Sequence, residues 1–285
     1  MFGEAESTAN GMARKQRATS SQWFNFTRDS YLERTSRPVY ALVYLLPFIV
    51  FYELGTIFIN TDVLGQTQIR VVAFVWLQEL LRYLGFGGKF IWVTPALVVV
   101  VILLAYQLVS RKGWWVSFTD MLPMTLESIL FAIPLIVLSL FLHTPGVTKN
   151  AVVAHAPAAG QFVSLLADIV TGVGAGIYEE LLFRLILICA LMLVFQDVLG
   201  WGKNNSIVLA VLVSAALFAA YHHIDLPTGR SNQDDPFTWA KFIFRTMAGI
   251  YFAILFAGRG FGITAGTHAF HNIIATLINA FVFKQ

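Results

Sequence analysis

Long runs of apolar residues constrain the fold of this chain more than any other feature of its sequence. A helix needs roughly 20 apolar residues to cross the hydrocarbon core of a bilayer. Seven blocks approach that length: residues 38–59, 90–109, 121–142, 181–199, 207–222, 237–257 and 262–283. Residues 161–178 are an eighth candidate, interrupted by Asp168 and three glycines. Residues 71–84 are too short and too polar to span, so we expect an interfacial helix there.

The composition also indicates a membrane protein. The chain is 57% hydrophobic and only 12% charged, whereas soluble domains contain about 45–50% apolar and about 25% charged residues. Lipid admits only helices and closed barrels, and barrel strands are short and alternate in polarity. The sequence therefore predicts an all-α fold, a polytopic integral membrane helical bundle with about seven or eight transmembrane helices, and excludes an ordinary soluble enzyme.

Positive charge is concentrated ahead of the first apolar block. Six of the 19 Lys and Arg residues precede residue 38: Arg14, Lys15, Arg17, Arg28, Arg34 and Arg37. Such a distribution orients membrane spans, so we expect no nucleic-acid partner and a cytoplasmic N-terminus, in the cytoplasmic (plasma) membrane if the source is bacterial. The chain divides into a polar N-terminal tail (1–37), N-terminal transmembrane helices (38–159) and a C-terminal transmembrane core (160–283).

Three charges stand in a run that is otherwise apolar, at Glu179, Glu180 and Arg184. Each charge near the centre of a span costs about 2.5–3.5 kcal/mol. Glu180 and Arg184 are four residues apart on one helix face and can form an ion pair. Glu179 points about 100° away from them around the helix. It is therefore expected to face other groups.

Two further motifs supply those groups. Phe218 and His222 end one apolar block, and His268 and Asn272 share a helix face in the last one. Imidazole and carboxamide groups can both donate hydrogen bonds to a developing oxyanion. Taken singly, the motifs also fit an interfacial pair of glutamates, a solvated histidine at a helix end and a chance spacing. Their occurrence together, in separate apolar blocks, favours a site that activates water.

The three motifs, in this order, resemble those of the CPBP (Abi) intramembrane proteases, which include the Rce-type CAAX-prenyl endopeptidases. The resemblance covers about residues 160–283 and implies an eight-span helical membrane protein that hydrolyses peptide bonds with a glutamate-activated water. It also implies that three of the motif residues support the site structurally: Glu180, Arg184 and Phe218.

The same resemblance implies the catalytic roles. Glu179 is then the general base, assisted by His222, while His268 and Asn272 hold the oxyanion or the water. Glu179, His222 and His268 could instead form a zinc site with two histidines and one carboxylate. However, the sequence contains no His-Glu-x-x-His motif, and asparagine is a poor zinc ligand. We therefore expect no cofactor, with zinc as the alternative.

The sequence thus predicts an intramembrane endopeptidase that acts on a membrane-anchored, possibly prenylated CAAX-type, protein or peptide. A proton-coupled transporter is the main alternative, because intramembrane acids and histidines also build ion relays. A non-catalytic membrane scaffold or immunity-type protein is another. In a simple up-and-down bundle, His222 and His268 would start from opposite rims of the membrane. We therefore expect the helix to break between Gly258 and Gly262 and to line a polar cavity.

Overall fold

The computed structural model describes residues 27, 29–60, 70–86, 93–142, 152–153, 161–225, 230–231 and 235–283. These residues form an almost entirely helical structure. Its α-helices are α1 (Tyr31–Thr35), α2 (Pro38–Asn60), α3 (Val72–Tyr83), α4 (Thr94–Ser110), α5 (Met121–Phe141), α6 (Gln161–Glu180), α7 (Ile188–Met192), α8 (Lys203–His223) and α9 (Trp239–Ile278). Two antiparallel ladders of two-residue strands accompany them, β1 (Arg70–Val71) with β2 (Val152–Val153) and β3 (Ile224–Asp225) with β4 (Arg230–Ser231).

Several helices have the length and composition of membrane spans, as the sequence predicts. Within the described residues there are five such segments: Pro38–Ile59, Phe118–Phe141, Val163–Val198, Lys203–His223 and Trp239–Val282. The helix Thr94–Ser110 is apolar but shorter, and residues 90–92 of that predicted block lie outside the described part. The all-helical membrane fold is therefore confirmed, whereas the count of seven or eight spans is not.

The blocks predicted at 161–178 and 181–199 form one continuous helical segment instead of two spans. From α6 the chain passes through a π-helical stretch, Leu181–Leu187, into α7 and a second π-helical stretch, Leu193–Val198. The glycines within residues 161–178 do not break the helix. Gly174 and Gly176 instead allow neighbouring helices to approach closely. A Cβ atom on Gly176 would lie 2.6 Å from the backbone nitrogen of Ala269, and one on Gly174 would lie 2.2 Å from the ring of Tyr52.

The last long helix, α9, reverses direction at Gly260. This residue has φ 78° and ψ 177°, a region that is essentially restricted to glycine. The rings of Phe252 and His268 stack with centroids 4.5 Å apart, whereas 16 residues of straight helix would separate them by about 24 Å. Two legs of α9, residues 239–259 and 261–278, therefore pack side by side. The break expected between Gly258 and Gly262 is confirmed.

Helix α6 lies at the centre of the bundle. Its Gly174 packs against Tyr52 of α2, and its Gly176 packs against the second leg of α9. Helix α8 packs on the first leg of α9, where a Cβ atom on Gly249 would lie 2.9 Å from the Cα atom of Ala215. These close approaches bring the ends of α6 and α8 and the second leg of α9 together.

Residues 31–37, which the sequence assigns to the polar tail, pack into the bundle, while residues 1–26 and 28 lie outside the described part. Arg259 of α9 donates to the Leu32 carbonyl at 3.1 Å and the Thr35 hydroxyl at 2.9 Å. Glu127 of α5 accepts from Arg259 and from the Tyr31 hydroxyl, each at 2.7 Å. We refer to Tyr31, Thr35, Glu127 and Arg259 as the N-terminal ion-pair cluster. It anchors α1, because each polar group in it finds a partner.

Candidate active site

The residues of the three sequence motifs meet inside the bundle. Glu179 lies in the last turn of α6, His222 lies at the end of α8, and His268 and Asn272 lie one turn apart on the second leg of α9. All four are buried, with relative exposures of 1%, 7%, 5% and 3%. The structure therefore brings Glu179, His222 and His268 together at the junction of three helices, and Asn272 lies one turn beyond His268.

Glu179 lies between the two histidines. Its Oε2 atom is 3.9 Å from His222 Nε2 and 3.8 Å from His268 Nε2. Both distances exceed a normal hydrogen bond by nearly 1 Å. Neither carboxylate oxygen of Glu179 has a hydrogen-bond partner among the described residues. Polar contacts longer than about 3.5 Å leave room for a water molecule to bridge the two groups.

The hydrogen-bond partners of the histidines fix which ring nitrogen carries the proton. His222 Nδ1 lies 2.8 Å from the Phe218 carbonyl oxygen, which can only accept, so this nitrogen must donate. His268 Nδ1 lies 2.7 Å from Glu180 Oε1 and likewise donates to the carboxylate. When each ring carries only this proton, its Nε2 atom turns a lone pair toward Glu179. Three acceptor atoms converge at this point.

Glu180 and Arg184 form the ion pair that their spacing predicts. Arg184 Nε lies 3.1 Å from Glu180 Oε2, and both side chains are fully buried. The guanidinium group stacks 4.3 Å from the centre of the Phe218 ring. Because Glu180 also accepts from His268, one carboxylate connects the arginine to the histidine that faces Glu179.

Phe218 occupies the space between the ion pair and the histidines. Besides Arg184, its ring contacts the imidazoles of His222 and His268, with centroids 4.9 and 6.1 Å away. Phe252 covers the other face of His268 by stacking. Aromatic side chains thus restrict the rotation of the ion pair and of both imidazoles.

The carboxamide of Asn272 is held more tightly than the sequence indicates. Its Nδ2 atom donates to the Gly172 carbonyl of α6 at 3.1 Å, and its Oδ1 atom lies 3.2 Å from His271 Nδ1. The side chain is buried on the same helix face as His268, as expected. Its hydrogen bond to Gly172 was not predicted, because helical spacing does not show which backbone lies opposite.

A buried cation beside the site was not predicted from the sequence. Arg245, on the first leg of α9, forms an ion pair with Asp235, and its Nη1 atom lies 3.2 Å from His223 Nε2. The exposed fractions of Arg245 and Asp235 are 3% and 7%. Two features of the sequence indicate this cation: an arginine inside the apolar block 237–257, and the second histidine of the pair His222-His223.

The site also bears on the alternative of a bound zinc ion. Among the described residues, no group of three or more His, Cys, Asp or Glu side chains is arranged to hold a metal ion. Donors bound to zinc at about 2.0 Å lie about 3.3 Å apart in a tetrahedral site, closer than Glu179 lies to either histidine. However, histidines whose Nδ1 atoms donate to protein acceptors are typical of metal sites as well. Glu179, His222 and His268 are the residues that would bind such an ion.

These features define the class of the protein: a helical membrane protein with an acid and two histidines buried among its spans. Residues 161–274 match the model of the Rce1-like family, described as type II CAAX prenyl endopeptidase Rce1-like. This part of the chain is therefore similar to the Rce1-like (CPBP) family, and the similarity suggests a protease that acts on a membrane-associated substrate. No curated protein and no solved structure matches the chain significantly.

Proposed function

We propose that this protein is a glutamate-dependent intramembrane endopeptidase that cleaves a peptide bond in a membrane-anchored substrate. Prenylated CAAX-type peptides are the first class to test, because the family description names them. One observation carries the proposal: a buried acid without a hydrogen-bond partner lies 3.8 and 3.9 Å from two histidine nitrogens. The basic residues ahead of α2 favour a cytoplasmic N-terminus.

The catalytic step follows from these positions. A water molecule between Glu179 and the two imidazoles donates one hydrogen to Glu179 Oε2 and the other to a histidine Nε2. As its oxygen attacks the scissile carbonyl, the O–H bond breaks toward Glu179 and a C–O bond forms. Glu179 then returns the proton to the leaving amine as the C–N bond breaks. General base catalysis of this kind contributes about 10²–10⁴-fold to the rate.

The surrounding groups hold this arrangement. Glu180 accepts from His268 Nδ1 at 2.7 Å, which directs the His268 Nε2 lone pair toward the water. Asn272 uses one of its two N–H bonds on Gly172, so the second can donate to the oxyanion. In a buried site such donors stabilise developing charge without reorganising. His222 assists Glu179, His268 holds the water through its Nε2 lone pair, and Asn272 holds the oxyanion.

The direct test is an assay of the full chain purified in detergent. The substrates are a prenylated CAAX peptide, the same peptide without the lipid, and an unmodified membrane-spanning peptide, with products read by mass spectrometry. We expect cleavage of at least one peptide by the wild type and none by Glu179→Gln. Glu79→Gln, at an exposed position, is the matched control and should remain active. If the folded wild type cleaves none of them but conducts protons in liposomes, the transporter hypothesis replaces this one.

The same sample decides the role of metal. We expect chelators to leave peptide cleavage unchanged and the purified protein to carry well under one zinc per chain. Loss of cleavage on chelation, restored by added Zn²⁺, would make His222 and His268 metal ligands and overturn the metal-free mechanism.

A further inference from the structure

His271 is a buried polar residue that the proposed mechanism does not use. It follows Phe270 and precedes Asn272 on the second leg of α9, and only 5% of its surface is exposed. Its Nδ1 atom lies 3.2 Å from Asn272 Oδ1, while its Nε2 atom is buried without a hydrogen-bond partner among the described residues. Phe244 packs near its ring, with centroids 6.3 Å apart.

The hydrogen bonds around Asn272 determine the orientation of both side chains. The Gly172 carbonyl can only accept, so the carboxamide atom that faces it must be the NH₂ group. The carboxamide oxygen therefore faces His271. Because this oxygen also only accepts, His271 Nδ1 must carry the proton. The order of donation is thus His271 to Asn272 to Gly172.

This order leaves His271 Nε2 as a buried acceptor without a donor among the described residues. An unsatisfied buried polar atom costs about 1–3 kcal/mol, which a phenylalanine in the same space would avoid. A histidine at this position must therefore make a favourable contact that an apolar ring could not make. The Nδ1–H group, directed at Asn272, is the part of the ring that makes a contact.

We propose that His271 is a positioning residue, whose Nδ1–H bond locks the carboxamide of Asn272 so that the free amide hydrogen points to the oxyanion. Without this bond, only Gly172 would restrain the carboxamide. The inference rests on the proposed function, because it assigns His271 a role through Asn272. His271 itself contacts neither the substrate nor the reacting atoms.

Paired substitutions test which nitrogen of His271 matters. Asparagine at this position keeps an amide near the place of Nδ1, whereas glutamine carries its amide out toward the place of Nε2. We expect His271→Asn to keep turnover near the wild-type value, and His271→Gln and His271→Phe to lower kcat about 10–100-fold, as for other partners that orient catalytic groups. KM should stay unchanged. Equal turnover in the Asn and Gln variants would overturn the proposal.

A double-mutant cycle separates positioning from a purely structural role. Asn272→Ala should lower kcat about 10²–10³-fold, the usual loss for one oxyanion donor. Adding His271→Phe should then cause no further loss, because the carboxamide it positions is gone; additive losses would contradict the proposal. Thermal unfolding of each variant in detergent identifies any that fails to fold, and the Asn variant keeps the test usable in that case.

The outcomes also distinguish this inference from the function on which it rests. If Asn272→Ala keeps full turnover, the oxyanion role of Asn272 in the proposed function is wrong. If Asn272→Ala is impaired while His271→Phe is fully active, only the positioning role of His271 is wrong.

Discussion

Glu127 and Glu179 are both acids within an apolar bundle, and their surroundings are opposite. In the N-terminal ion-pair cluster, Glu127 accepts from Arg259 and from Tyr31, each at 2.7 Å. Burial and the neighbouring carboxylate raise the pKa of the Tyr31 hydroxyl above its ordinary value, which keeps it a donor. Glu179 has no hydrogen-bond partner among the described residues and faces two histidines at longer distances.

Two acids that are more deeply buried than Glu127 are paired in the same way. Glu53 pairs with Arg70 at 3.2 Å, and Asp120 pairs with Arg34 at 3.0 Å. A buried charge is tolerated when a cation and hydrogen bonds compensate for its lost hydration. These acids hold helices together through their ion pairs with arginines, whereas Glu179 forms no such pair among the described residues. Acids that stabilise the fold are thus paired with arginines, whereas Glu179, which is not, is the candidate catalytic acid.

The largest expected effect comes from removing the unpaired acid. Glu179→Gln should lower peptide hydrolysis by about 10²–10⁴-fold, because the water loses its general base. The variant should remain inserted and folded, since among the described residues no arginine forms an ion pair with this carboxylate. Turnover is measured by mass spectrometry and folding by gel filtration in detergent. A variant that keeps a tenth of wild-type turnover would contradict the role of Glu179.

The neighbouring glutamate should behave differently. Glu180→Gln leaves the fully buried Arg184 without its charged partner, and breaking a buried ion pair costs about 3–5 kcal/mol. We expect a clear drop in melting temperature and in the yield of folded protein. An unchanged melting temperature would show that the pair does not stabilise the fold.

A smaller effect is expected in the N-terminal ion-pair cluster. Glu127→Gln retains an acceptor for Arg259 but removes the charge, and hydrogen bonds to charged groups contribute about 1.5–3 kcal/mol each. The melting temperature should fall, while turnover per folded molecule should stay unchanged. Lost turnover at an unchanged melting temperature would mean that this cluster takes part in the reaction, and the contrast with Glu179 would fail.

The smallest effect is expected for an exposed pair. Glu79 and Arg82 lie three residues apart on α3, and both side chains are more than half exposed. Such pairs contribute little to stability, because water and salt screen them. Glu79→Gln should change neither the melting temperature nor turnover. A measurable loss of either would show that α3 contacts something beyond the described residues.

The sequence predicts those parts of the structure that depend on one helix alone. Helical spacing gives the Glu180–Arg184 pair and places His268 and Asn272 on a common face. The sequence misses what depends on neighbouring helices. Gly174 and Gly176 could either break a helix or admit a close neighbour, and only the packing against α2 and α9 decides between these roles.

The same limit explains the missed partners of the site. The carbonyl of Gly172 becomes the acceptor for Asn272 only because α6 and α9 approach closely. Arg245 comes near the site only because α9 folds back on itself, so its position in an apolar block indicates a buried cation but not its contact with His223.

Gly260 also sets the rotation of the second leg of α9 around its own axis. The reversal occurs at a single residue with φ 78°, and His268 lies a fixed number of residues beyond it. A turn placed one residue later in the chain would rotate the second leg by about 100° around its axis. His268 would then leave the side that faces Glu180 and Glu179. Gly260, a residue without a side chain, thus fixes the rotation of the second leg that directs the His268 imidazole toward the acid.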